Sequence, residues 1–187
     1  MEADRMDAAE ICQRSSIVIL PFEGKTPAVH PTVFQAPGTY IIGDVVIGKD
    51  SSIWYNAVIR GDVNYIRIGE ETNIQDGSLL HVRSEYPLII GSHVTLGHGV
   101  IAHACTIEDY ALIGMGATIL DNAKVNSYTL VAAGSVVKNN DIIPEGVLVA
   151  GVPAKIIRDL TAAERASIEE SAKHYVQYAQ SFKSQLH

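Results

Sequence analysis

Ile101-Ala-His-Ala-Cys-Thr-Ile107-Glu-Asp-Tyr-Ala-Leu-Ile113-Gly-Met-Gly-Ala-Thr-Ile119-Leu-Asp-Asn-Ala-Lys-Val125-Asn-Ser-Tyr-Thr-Leu-Val131-Ala-Ala-Gly-Ser-Val-Val137 decides the fold. Its numbered aliphatics recur every six residues. Four places after each of the first six stands a small or short residue: Cys105, Ala111, Ala117, Ala123, Thr129 and Ser135. Ile, Leu and Val make up 51 of 187 residues, so seven in a row at one fixed spacing has a chance probability of roughly one in ten thousand. Working outward, the same step joins Ile41, Ile47, Ile53 and Ile59, then Ile68, Ile74 and Leu80, then Ile90 and Leu96. Steps of nine, ten and five residues separate the runs. Glycine follows the aliphatic at Gly48, Gly69, Gly91, Gly97 and Gly114.

A period of six suits neither an amphipathic helix nor hairpins, but it fits a parallel β-helix. Each hexad supplies a short strand and a turn, and three close a triangular coil of about 18 residues. The aliphatic points inward, the small residue fits a crowded corner, and glycine is expected to tolerate the turn conformation. A β-sandwich would not keep a six-residue phase. The 22 Ile and 18 Val against 11 Leu agree with strands.

Acidic residues outnumber basic ones, 21 to 14, for a formal charge of −7. That balance excludes electrostatic binding of nucleic acid or an anionic membrane. With 47% hydrophobic and 19% charged residues the chain is too apolar for disorder, and no apolar run of about 18 residues exists to span a membrane. The opening Met1-Glu-Ala-Asp-Arg-Met has scattered acids and no apolar core, unlike a targeting peptide. Cys12 and Cys105 form no motif, so a reducing cytoplasm is expected.

We expect residues 1–15 to form a flexible extension, 16–158 the β-helix, and 159–187 a C-terminal helix. Thr161-Ala-Ala-Glu164 has the form of a capping box. Ile168, Ala172, Tyr175, Val176, Ala179 and Phe182 follow at helical spacing, making one apolar stripe that must cover the outer wall of the β-helix.

Of seven histidines, His81, His98 and His103 fall where coil geometry matters. His81 and His98 are 17 residues apart, close to one coil, and should project from nearby positions on successive coils; His103 should begin the next face or corner. A single histidine in such a turn is ordinarily solvated. Three within 23 positions suggest a metal, since three neutral imidazoles bind zinc and leave a position open for a reacting water. Side chains on one flat wall cannot surround an ion, so a second subunit is the easiest source of a third ligand. His93 lies in a hexad turn, and His30, His174 and His187 lack partner spacing; these four are read as non-ligands.

Trp54-Tyr-Asn-Ala-Val-Ile-Arg60-Gly61-Asp62, Ile68-Gly-Glu-Glu-Thr-Asn73-Ile-Gln75-Asp76-Gly77-Ser-Leu-Leu-His81, Leu96-Gly-His98 and His103, in this order, resemble the γ-class carbonic anhydrase family. The likeness runs from about Ile17 through Gly151-Val-Pro153-Ala-Lys155 into the final helix. It implies an all-β, left-handed parallel β-helix with a C-terminal helix on its wall, assembled as a homotrimer. It further implies a zinc ion, or iron or cobalt, at each subunit interface, held by His81 and His103 of one chain and His98 of its neighbour. Arg60 and Asp62 match the interface ion pair, Asn73 and Gln75 match residues beside the reacting solvent, and Tyr175 matches a helix tyrosine of short-form members. The implied reaction is reversible hydration of carbon dioxide to bicarbonate, with Gln75 orienting the hydroxide or the substrate.

The match departs at one place. Where the archetype has a glutamate after Arg-Gly-Asp, Val63 stands here, and the loop Val82-Arg-Ser-Glu-Tyr-Pro87 holds Glu85 as its one acid. Loss of acidic shuttles implies slow or buffer-dependent turnover. Two alternatives compete: acyl-CoA thioesterase or acyltransferase chemistry, which hexapeptide proteins also support, and a non-catalytic trimeric scaffold.

Overall fold

The computed structural model describes residues 17–185; the expected extension at residues 1–15 lies outside them. The chain winds through about seven coils of a left-handed β-helix. Three columns of inward side chains run its length. One aligns Ile41, Ile59, Leu80, Ala102, Ile119 and Val137. A second aligns Ile47, Ile68, Ile90, Ile107, Val125 and Ile143, and a third Ile53, Ile74, Leu96, Ile113, Val131 and Val149. All are buried, most of them completely. The small residues two places earlier are buried with them, among them Cys105, Ala111, Ala117 and Thr129. The six-residue phase is therefore the price of keeping one side chain per face inside a narrow prism.

The structure corrects the phase at one position. Ile101 is 39% exposed, and Ala102 takes the inward place between Leu80 and Ile119. The five-residue step thus lies between Ala102 and Ile107, where a short corner turns through Ala104 at φ 49°.

The glycines also act differently from expectation. Gly48, Gly69, Gly91, Gly97 and Gly114 are not among the positive-φ residues. They are small because the next coil is too close: an added Cβ at Gly69 would stand 2.6 Å from backbone atoms of Gly91 and Ser92. Positive φ falls instead on corner positions such as Gly77, Gly99 and Gly134, and on larger residues including Glu71, His93, Tyr110 and Tyr128. At that last corner His93 stacks on Tyr110 at 4.5 Å and Tyr110 on Tyr128 at 5.0 Å.

A strand at Lys155–Asp159 pairs antiparallel with Val147–Ala150 and ends the sheet. The helix, α1, covers Ala162–Gln185, beginning directly after the expected cap Thr161 and following the exit strand that ends at Asp159. Its buried Ile168, Ala172 and Ala179 lie on the expected stripe. Tyr175 and Phe182 join Phe34, Ala36 and Trp54 in a second apolar cluster between helix and wall. Tilted and edge-on ring contacts, Phe34 on Trp54 at 5.0 Å and Trp54 on Phe182 at 5.1 Å, give that docking a defined geometry.

The capping box is reciprocal. The Glu164 amide donates to Thr161 Oγ1 at 3.2 Å, and the Thr161 amide donates to Glu164 Oε2 at 2.9 Å. Arg158 adds two 2.8 Å bonds to the same carboxylate. These bonds, Arg158 first, hold the Glu164 carboxyl far down, to about 2. A depressed carboxyl stabilises the folded state above its unfolded value of 4.5 and loses that contribution as pH falls through about 2. Hydrogen exchange should therefore show the first turn of α1 fraying across that acid window. Glu164→Gln should fray it already at pH 7 and abolish the pH dependence.

Candidate metal and catalytic site

The face that carries the Ile59, Leu80 and Ala102 column also carries the imidazole pair. The register sets Arg60, His81 and His103 side by side on three successive strands. His81 and His103 are 22 residues apart, rather than the 18 of a regular coil, because the step from Leu80 to Ile90 contains the Val82–Pro87 loop. His98 does not neighbour His81, contrary to the spacing argument. It sits at the Gly97-His98-Gly99 corner that opens this face, above Asp76, whose carbonyl accepts the Gly99 amide. Five residues separate it from His103, on the order of 15 Å along the chain. Among the described residues of one chain, no three His, Cys, Asp or Glu side chains are grouped to hold a metal ion.

Each imidazole is tied to an aspartate. His81 Nε2 lies 3.0 Å from Asp62 Oδ1, His103 Nδ1 2.5 Å from Asp121 Oδ1, and His98 Nδ1 2.7 Å from Asp76 Oδ2. Burial works to raise the Asp62 carboxyl, but the Val63 amide, His81 and Arg60 together hold it below the usual range. Asp121 is likewise lowered against its burial by His103 and Arg83. Burial, with Arg60 and His103 adding to it, lowers the His81 pKa and keeps that ring neutral near pH 7. Ionised carboxylates only accept, so the ring N–H of His81 is Nε2 and that of His103 is Nδ1. The remaining nitrogens, His81 Nδ1 and His103 Nε2, face each other 3.0 Å apart, close enough to share one proton or one metal ion.

Arg60 pairs with Asp62 within the chain. Asp121 Oδ2 accepts from Arg83 at 2.9 Å, and Arg83 in turn holds Glu85 at 2.9 Å. His93 stands apart, its Nδ1 3.4 Å from Glu71.

The second part of the site lies under α1. Gln75, His98 and Tyr175 line a groove of about 440 Å³ whose apolar side is built by residues such as Leu112, Met115 and Leu130. Gln75 Nε2 donates to Asn73 Oδ1 at 3.0 Å, and both side chains are buried. Tyr175 keeps its phenol proton, its pKa raised by burial and then by Asp76 and Tyr178. Sequence reasoning passed over Asp76 and Asp121 as partners. The 18-residue step from His103 to Asp121 was a usable signal; the 22-residue step from Asp76 to His98 was hidden by the loop.

No family model matches the chain. Gamma carbonic anhydrase 2, mitochondrial, of Arabidopsis thaliana is 51% identical over 162 residues, covering 83% of this chain and 58% of the relative. A Methanocaldococcus jannaschii protein named probable carbonic anhydrase is 48% identical over 156 residues, covering 83% of this chain and 98% of the relative. The chain belongs to the gamma carbonic anhydrase family.

This γ-class chain spans a little under three fifths of the Arabidopsis relative but nearly the whole archaeal one. A solved Bacillus cereus protein, provisionally designated an acetyltransferase, is 44% identical at a TM-score of 0.89, covering 91% of this chain and 99% of the other. The γ-class fold is thus shared with proteins carrying transferase designations, and chemistry has to be argued from the site. No helix among the described residues is long and apolar enough to cross a membrane.

Proposed function

We propose that the protein catalyses reversible hydration of carbon dioxide to bicarbonate at a metal site shared between subunits of a cytoplasmic homotrimer. The observation that carries this reading is the carboxylate behind every candidate ligand: Asp62, Asp76 and Asp121 each fix one ring nitrogen and turn the other outward. Metal-binding histidines are oriented in this way. The residues fit a divalent ion. His81 Nδ1 and His103 Nε2, 3.0 Å apart, are close enough that both would hold one ion through neutral imidazole nitrogens. His98 is too far along the same chain to complete the set, so a neighbouring subunit's copy does so, as a cyclic interface between unlike surfaces allows. We assign zinc, with iron or cobalt as substitutes.

When bound, zinc lowers the pKa of water from 15.7 to about 7 and so supplies hydroxide at neutral pH. The chain's own residues do the rest. Gln75, held by Asn73, orients the O–H of the hydroxide or of bicarbonate, and the apolar groove wall accepts carbon dioxide. Asp62, braced by Arg60, fixes the His81 ring. Tyr175 closes the groove from α1 as a neutral phenol. Proton export has little help, since Val63 carries no acid and Glu85 is occupied by Arg83.

Stopped-flow hydration on anaerobically metal-loaded protein tests the proposal. The rate should depend on metal and rise with imidazole buffer concentration. A fully metal-loaded trimer no faster than the metal-free protein would reject it. Acetyl-CoA should give no saturation-transfer signal.

A further inference from the structure

Beneath α1 the outward-facing residues Ser52, Asn73 and Thr95 occupy neighbouring positions on three adjacent strands. A sheet surface usually leaves such polar residues in water, but here they are buried at 1, 1 and 5% exposure because the helix lies over them. Buried polar groups need partners, and the partners fix the sense of the whole chain of bonds.

The sense follows from one acceptor. The Val94 carbonyl lies 3.4 Å from Asn73 Nδ2 and can only accept. Turning the Asn73 amide over would set two oxygens against each other in a buried site. Asn73 therefore donates through Nδ2, both to Val94 and to Thr95 Oγ1 at 2.9 Å, and accepts through Oδ1. The atom it accepts from is Gln75 Nε2 at 3.0 Å, which leaves Gln75 Oε1 for the groove. Thr95 Oγ1, accepting from Asn73, also shares a hydrogen bond with Ser171 Oγ, 3.2 Å away on α1. Ser171 stands one turn before Tyr175 and lines the same groove.

We propose that Thr95 and Ser171 are positioning residues which, through Asn73, lock the Gln75 amide with its oxygen toward the groove. The helix thereby secures an amide orientation whose sense the Val94 carbonyl dictates. An oxygen presented there accepts a hydrogen bond, so the groove selects oxyanions that carry an O–H, such as bicarbonate, over those that carry none, such as nitrate. What this selection does for catalysis rests on the hydration reading above; the amide orientation does not.

The test uses the full-length protein and two readouts. In the metal-free protein, the Gln75 side-chain NH₂ should exchange with solvent slowly, and Thr95→Val should speed that exchange about fivefold, the effect of losing roughly one net hydrogen bond. In the zinc-loaded protein, Thr95→Val should weaken bicarbonate about tenfold, as expected for a hydrogen bond to a charged ligand, and leave nitrate affinity unchanged. Thr95→Ser should restore both readouts, and Ser171→Ala, on the partly exposed helix where folding is not at risk, should move both in the same direction by less. Unchanged exchange in Thr95→Val and Ser171→Ala, or equal weakening of both anions, overturns the assignment. A protein that keeps Gln75 protected and prefers bicarbonate, yet hydrates no carbon dioxide, upholds the orientation while removing the hydration reading.

Discussion

Replacing His81, His98 or His103 with alanine is expected to cut metal affinity at least roughly a hundredfold in each case. Structural zinc sites bind with about 10–16 kcal/mol over four ligands, so each ligand is worth about 3 kcal/mol. His93→Ala should leave occupancy intact, because His93 is stacked on Tyr110 beside Glu71. Mixing the variants probes the proposed sharing. A trimer of His81→Ala chains or of His98→Ala chains has every site damaged. In mixed trimers, an interface works when a His98→Ala chain supplies His81 and His103 and a His81→Ala chain supplies His98. Random association of equal amounts gives that arrangement at about one half times one half of interfaces, so about a quarter of sites should regain metal and activity together. Metal per trimer after refolding the two variants together, with mass spectrometry to verify mixing, reads the result. No recovery would mean that each site draws its ligands from one chain. His81 and His103 lie side by side within a chain and His98 at the far corner, the division of ligands this experiment needs.

Gly69→Ala should lower stability by about 3 kcal/mol, the upper range for forcing a methyl into a packed interior. The added Cβ would lie 2.6 Å from the Gly91 carbonyl carbon and from the Ser92 nitrogen, backbone atoms fixed in the next coil. The coils would have to part locally, breaking ladder bonds such as that from the Gly69 amide to the Ile90 carbonyl at 2.9 Å. Gly134→Ala makes the contrast. Its Cβ would meet nothing within 4 Å, but φ is +67°, so the cost is left-handed strain of about 1 kcal/mol. Thermal unfolding of both variants should separate them by several degrees, with Gly69→Ala the lower. Equal midpoints would show that turn conformation, as first expected from sequence, limits both glycines.

Much of the architecture was legible because interior positions repeat in sequence. A narrow prism admits one inward side chain per face, so Ile107, Ile113, Ile119, Val125, Val131 and Val137 had to keep one phase. The start and stripe of α1 were legible for a similar local reason: Thr161 with Glu164, and residues three or four apart on one helix face, meet through a single turn. The family resemblance likewise rested on motifs in a fixed order, Trp54 through His103.

Tertiary structure alone decided what happens between coils. Ile101 and Ala102 are adjacent and both apolar, and only pairing with Leu80 and Ile119 turned Ala102 inward. The close approach at Gly69 is likewise a property of the neighbouring coil, invisible in the residues around it. His81 meets His103 rather than His98, and Asp121, Asp76, Thr95 and Ser171 take their places around the site, through contacts spanning 18 to 76 residues. Those separations depend on how many residues each intervening loop inserts. Sequence by itself therefore determined the coil, the helix and the imidazoles in play. Stacking decided which of them touch, because register between coils is set by backbone pairing at a distance and not by any local preference of the chain.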